Sequence, residues 1–174
     1  MRVAILWAAA VVLCGAWCRG AWAQKPFEIV TGKAFDSAVP KDFYLEGNAI
    51  PVEKRNAVLV KTPAGARALF ALIDTAGYAA SVQSKYVGMI IAEGDLSICG
   101  HKIGVGSYGF GWALPATGVD APGKFMLYNQ AGAAVADCPA QRQGDLKMPR
   151  PLQVVVNPAG PARLYHGKHY ILLE

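Results

Sequence analysis

Short apolar runs separated by turn residues fill the chain from residue 27 to residue 173. Phe27–Thr31 opens the series. Asp42–Leu45 alternates and stops at Glu46-Gly47-Asn48, and Ala57–Thr62 stops at Pro63-Ala64-Gly65. Arg67–Ile73 is almost wholly apolar, the pattern of a central strand covered on both faces. Val87–Ile91 and Leu96–Cys99 follow, split by Glu93-Gly94-Asp95. Lys102–Tyr108 alternates with glycine, and Gly104, Gly106, Gly109 and Gly111 favour bulges or close backbone approach. Phe125–Tyr128 and Ala133–Val135 flank Asn129-Gln130-Ala131-Gly132, a hairpin pattern. A loop is expected over Pro139–Pro151, and Leu152–Val156, Ala162–His166 and His169–Leu173 end the chain as strands. Helical spacing competes at one place, where Tyr78, Val82 and Tyr86 lie four apart.

Runs recurring every ~8–12 residues with turn signals between them are the all-β signature. The predicted fold is therefore mainly β. It is an antiparallel β-sandwich or, alternatively, a β-barrel, with about ten strands and at most one short helix near 76–86. Two turns are sharper than the rest. In Tyr165-His166-Gly167-Lys168-His169-Tyr170 a glycine takes the first central position of a two-residue loop, where φ must be positive. Cys99-Gly100-His101-Lys102 follows the same logic, with Cys99 at a strand end.

Residues 1–23 stand apart. Arg2 gives a positive start, Val3–Trp17 is apolar apart from Gly15, and Ala21-Trp22-Ala23 is a small-x-small site. This is the pattern of a secretory signal peptide cleaved after Ala23. Fifteen residues at about 1.5 Å each reach roughly 22 Å, short of a bilayer core, so no stable membrane anchor is expected once the leader is removed. Cys14 follows Leu13 and Cys18 follows Trp17, neither of which suits a lipoprotein site. Residues 24–174 then form a single domain, periplasmic or extracellular.

Composition narrows the function classes. The 174 residues are 53% hydrophobic and 17% charged, which excludes a disordered chain. Loss of Arg2 and Arg19 takes two cations off the formal net charge of +5. The densest basic stretch left is Lys54-Arg55, far from the clustered stripe that phosphate backbones need, so nucleic acid is not an expected partner. Cys99 and Cys138 are the two cysteines outside the leader. In an oxidising compartment an even pair most simply forms one disulfide, closing a loop of about 40 residues, with two free thiols as the alternative.

Three constellations carry candidate chemistry. His166 and His169 stand opposite each other across the Gly167-Lys168 turn, Cβ atoms roughly 5 Å apart, and could chelate a transition metal with a third partner. Tyr108, Phe110 and Trp112 alternate along one segment and so face one side, as a core row or a ligand-binding row. Ala71-Leu72-Ile73-Asp74-Thr75-Ala76-Gly77 resembles the signature of retropepsin-like aspartic proteases, which implies Asp74 as one carboxylate of a catalytic pair. It departs from that family by reading Asp-Thr-Ala where the family has Asp-Thr-Gly. No Gly-x-Ser-x-Gly elbow is present, and the glycine-rich stretch Gly104–Gly111 sits in a β context without a Lys-Ser/Thr ending, so a nucleotide loop is not expected, and no cofactor is implied.

Phe43-Tyr44-Leu45-Glu46-Gly47-Asn48-Ala49-Ile50-Pro51, with Lys54-Arg55-Asn56, resembles a family of short exported bacterial proteins of unknown function. The likeness covers most of the chain after the leader. It implies export and a compact domain and assigns no site residue. The expected role is a non-enzymatic module that binds an envelope or extracellular ligand or protein. The alternative is a hydrolase of aspartic-peptidase type using Asp74.

Overall fold

The computed structural model describes residues 25–116, 119 and 121–174, so the leader expected over residues 1–23 lies outside the described residues. In chain order the elements are β1 (Glu28–Val30), α1 (Lys33–Ala38), β2 (Asp42–Leu45), β3 (Asn48–Lys61) and β4 (Arg67–Ile73). Then come α2 (Ala80–Lys85), β5 (Gly88–Ala92), β6 (Leu96–Ile98), β7 (His101–Ile103) and β8 (Gly106–Ala113). The chain ends with β9 (Gly123–Asn129), β10 (Ala134–Arg142), β11 (Gln153–Val155), β12 (Ala162–His166) and β13 (His169–Leu173).

The strands pair antiparallel in the order β1-β3-β4-β5-β8-β9-β10-β13-β12-β11, with β2 on β3 and the β6–β7 hairpin on β13. The result is one large antiparallel sheet curled into a half-barrel, the mainly β class that the spacing of apolar runs predicts.

β4 shows why the sheet is covered on both sides. Successive side chains of a strand point to opposite faces. Ala68, Phe70 and Leu72 enter one core with Ile90, Phe110 and Leu127. Leu69, Ala71 and Ile73 enter a second, with Phe43, Ile50 and Met89. The first core fills the inside of the curl. The second lies beneath the β2–β3 hairpin and includes Val82 of α2, with Phe35 and Ala38 of α1 packed against it.

The described residues form thirteen strands rather than about ten, and the structure corrects the expectation in three further places. First, there are two short helices rather than at most one. α2 falls inside the predicted window, whereas α1 was not foreseen. Its six residues are too few to show a helical period. Second, β10 runs on to Arg142 where a loop was expected from Pro139. Proline is tolerated there because β13 pairs with β10 only at Gln141 and Arg142, which leaves one side of Pro139 without a ladder partner. Third, Cys99 is not at the strand end. Ile98 pairs with His101, so Cys99 and Gly100 are the central residues of the turn, with φ of 52° and 77°. Positive φ at both positions is the type I′ requirement.

Glu46 and Gly47 repeat this arrangement between Leu45 and Asn48, with φ of 49° and 77°. The stretch Phe43–Pro51 is thus the β2–β3 hairpin. Lys54, Arg55 and Asn56 form a bulge in β3, because Glu53 pairs with Leu72 while Ala57 pairs with the adjacent Ala71. Asn56 Nδ2 donates to Glu53 Oε2 at 2.6 Å and Lys54 meets Asp36 of α1 at 2.8 Å, holding the bulge in place.

Candidate functional site

The aromatic row belongs to the core rather than to a solvent-facing platform. β8 lies between β5 and β9, and its pattern buries residues 109–112. Phe110 is fully buried and stacks on Phe125 at 5.7 Å, and Trp112 meets Phe125 edge-on at 5.0 Å. Tyr108 is half-buried and its hydroxyl donates to the Gly104 carbonyl at 3.1 Å. Trp112 differs from its neighbours in one polar atom. Its Nε1 is buried and has no hydrogen-bond partner among the described residues.

Trp112 also joins two constellations that are separate in the sequence. Its indole lies against the His166 imidazole, 5.8 Å between centroids. His166 pairs in register with His169 across Gly167-Lys168, and Gly167 has φ 60° as the turn demands. His166 Nδ1 donates to the Pro151 carbonyl at 2.7 Å, and His169 Nε2 donates to the Ala121 carbonyl at 3.3 Å. Burial holds the His166 pKa below the usual imidazole value. Nearby His169 adds to this, and the bond to Pro151 opposes it. Among the described residues no group of three or more His, Cys, Asp or Glu side chains is placed to hold a metal.

Asp74 is exposed at the end of β4. Its Oδ1 accepts the Ala76 N–H at 2.9 Å and its own N–H donates to Pro51 O at 2.9 Å. A carboxylate closing an Asx turn already has work in the backbone.

One polar network that joins two turns and a helix end has no counterpart in the sequence reading. Glu46 Oε1 accepts from both Lys85 Nζ and the Tyr86 hydroxyl, the latter at 2.7 Å. Lys85 Nζ also donates to the Gly132 carbonyl at 2.6 Å and lies over the rings of Tyr86 and Tyr128. Glu46 N donates to Gln130 O at 2.8 Å. The β2–β3 turn, the end of α2 and the β9–β10 turn are thereby fastened together. Lys85 and Tyr86 lower the Glu46 pKa. Burial and then the Glu46 bond push Tyr86 up to about 12. Burial works against the Lys85 ammonium, but its bonds to Glu46 and Tyr86 prevail and its pKa rises. No local signal marks this network, because its partners lie about 40 and 47 residues apart in sequence.

Glu46 and Cys99 are the two non-glycine residues with positive φ among the described residues. Each is held from a distance, Glu46 by Lys85 and Tyr86, and Cys99 by a disulfide to Cys138 of β10. Left-handed backbone of this kind costs about 1–3 kcal/mol and persists where surrounding contacts over-determine it. Here the overriding contacts can be named.

Two clefts open beside the chain's last residue. The larger, about 600 Å³, is bounded by Lys25, Phe27, Asn157 and Glu174 with proline walls at Pro63 and Pro158. The smaller, about 320 Å³, is bounded by Thr62, Pro63, Asp95 and Glu174, so Pro63 and Glu174 form a common wall. Thr62 is 5% exposed and its Oγ1 finds no hydrogen-bond partner among the described residues. Buried polar groups almost always have a partner. None of these lining residues carries a motif, and the turns that bring them together are far apart in sequence.

No family model, curated protein or solved structure matches the chain. Among the described residues no helix is long and apolar enough to cross a membrane.

Proposed function

We propose that this chain is an exported, non-enzymatic binding module that seats a small ligand in the paired clefts beside Glu174. The observation that carries the reading is Thr62, which bounds the smaller cleft and whose buried hydroxyl has no hydrogen-bond partner among the described residues. A turn of that side chain toward the cleft would let a ligand oxygen or nitrogen supply the missing bond. The inside of the curl is filled by Phe70, Phe110, Phe125 and Leu127, so it offers no room for a ligand. The clefts offer rigid proline walls and a few polar groups of both signs, Lys25, Asn157, Asp95 and Glu174. Apolar walls with sparse, placed polar groups are the usual make-up of a small-molecule site. The ligand class that fits is small and polar, with one apolar face.

Export rests on the leader pattern of residues 1–23 together with the Cys99–Cys138 bridge, since disulfides persist in oxidising compartments. Likeness to short exported proteins along Phe43–Pro51 agrees with it. Native mass spectrometry of the protein isolated from its own cells tests the binding role. Wild-type protein is expected to retain a small non-covalent adduct that a Thr62→Val, Asn157→Ala double variant loses. An adduct held equally by both chains, or absent from both, contradicts the reading.

A further inference from the structure

We propose that His166 and His169 form a binding site for a divalent late-transition ion such as Zn(II), independent of the clefts. The argument begins with protons. A backbone carbonyl can only accept, so the Pro151 carbonyl at 2.7 Å fixes the His166 proton on Nδ1. By the same reasoning the Ala121 carbonyl at 3.3 Å fixes the His169 proton on Nε2. In the neutral rings the free lone pairs are then Nε2 of His166 and Nδ1 of His169.

This is the arrangement by which histidine ligands are prepared for metal. One ring nitrogen donates to a carbonyl, which sets tautomer and orientation, and the other is left basic. Both members of the pair have it. They also occupy one cross-strand position at the end of a tight hairpin, which brings the two rings to the same face of the sheet. Stacking on Trp112 restrains the His166 ring further. Two imidazoles suit Zn(II), Cu(II) or Ni(II) rather than Mg(II) or Ca(II), which prefer oxygen. With no third protein ligand of the usual types among the described residues, water or a group from a bound partner completes the shell. The ion enters as the hydrated cation and leaves the chain's covalent structure unchanged.

The test is a calorimetric titration of the full chain with Zn(II) at pH 7.5, compared with His166→Gln, His169→Gln and His101→Gln. Cys14 and Cys18 are common to all four chains, so differences among them report the histidines. One binding event is expected to weaken at least about tenfold in the first two variants, since loss of even an outer partner costs 10–100-fold at metal sites. It should stay unchanged in His101→Gln. Equal binding by all four chains, loss on changing His101, or no binding event overturns the proposal. Because His169 is buried, its variant is also checked by imidazole ¹⁵N shifts of the wild type, which need no substitution. Zn(II) should move Nε2 of His166 and Nδ1 of His169. Movement of His101 alone, or of none, overturns it.

Discussion

The Trp112 indole and the His166 imidazole lie nearly parallel, centroids 5.8 Å apart and planes inclined by 20°. This contact places an ionisable ring against the apolar interior. Because burial lowers the folded-state pKa of His166 below its unfolded value, the unfolded chain takes up a proton first as pH falls. Unfolding free energy should therefore decline as pH drops below about 6.5, and level off below the folded-state pKa. Above that range both states are neutral at this site and the contribution vanishes. Urea unfolding at pH 7.5 and 5.5 checks this. The wild type should lose more stability between the two than His166→Gln does, and an equal loss would remove His166 as the cause.

Thr62→Val should raise stability while weakening the cleft. The substitution keeps the branched shape and deletes a buried hydroxyl with no partner. Leaving such a group unsatisfied costs about 1–3 kcal/mol, so the variant should gain roughly 1 kcal/mol in chemical unfolding. A gain in stability with loss of ligand is the trade expected of a binding position. A destabilised variant would mean that the hydroxyl is bonded in solution.

The Glu46–Lys85–Tyr86 network predicts an alkaline signature. With Tyr86 pushed up to about 12, an ultraviolet titration should show a late tyrosine ionisation step near pH 12. The unfolded chain releases that proton near pH 10, so stability should fall between about pH 10 and 12. In Tyr86→Phe the late step should be absent.

Gly132→Ala should disrupt the same network. A Cβ there would stand 1.8 Å from Glu46 Oε1 and 2.7 Å from Lys85 Nζ, at φ +82°. A loss of about 1–3 kcal/mol is expected from the backbone conformation alone. Thermal unfolding measures it, and an unchanged midpoint would contradict the left-handed backbone at Gly132 and its crowding by Glu46 and Lys85.

The Cys99–Cys138 bridge closes a loop with a sequence separation of 39 and joins the β6–β7 turn to β10. Chain-entropy arithmetic for a loop of that length gives about 4 kcal/mol. The Cys99→Ser, Cys138→Ser double variant should lose a comparable amount in chemical unfolding. A loss below about 1 kcal/mol would place the main hold on Cys99 elsewhere.

Much of the fold could be read from period-two patterning. Arg67–Ile73 is read from its composition as a strand covered on both faces, and β4 has those bounds and faces two cores. Of the four glycines read as favouring bulges or close approach, Gly104 faces open space and a Cβ at Gly106 would meet only the Tyr108 side chain at 3.3 Å, whereas Gly109 and Gly111 do sit at close approaches. A Cβ at Gly109 would meet the Tyr86 ring at 2.7 Å, and at Gly111 the Lys85 carbonyl at 2.2 Å. What escaped is what depends on distant pairing. The Cys99 turn differs from expectation because register, set by β13 and β7 together, puts Cys99 inside the loop. The clefts and the Lys85 network are assembled from turns that only the curled sheet brings together. Residue spacing carries no trace of such meetings.

Whether the paired clefts are a ligand seat is tested most directly by amide shift mapping of ¹⁵N-labelled protein against monosaccharides, dipeptide amides and short aliphatic amines. The expected result is a saturable response centred on Thr62, Asn157 and Glu174 for at least one of these probes, and its loss in Thr62→Val. Silence at those amides across every probe, or a response centred on some other part of the sheet, would contradict it.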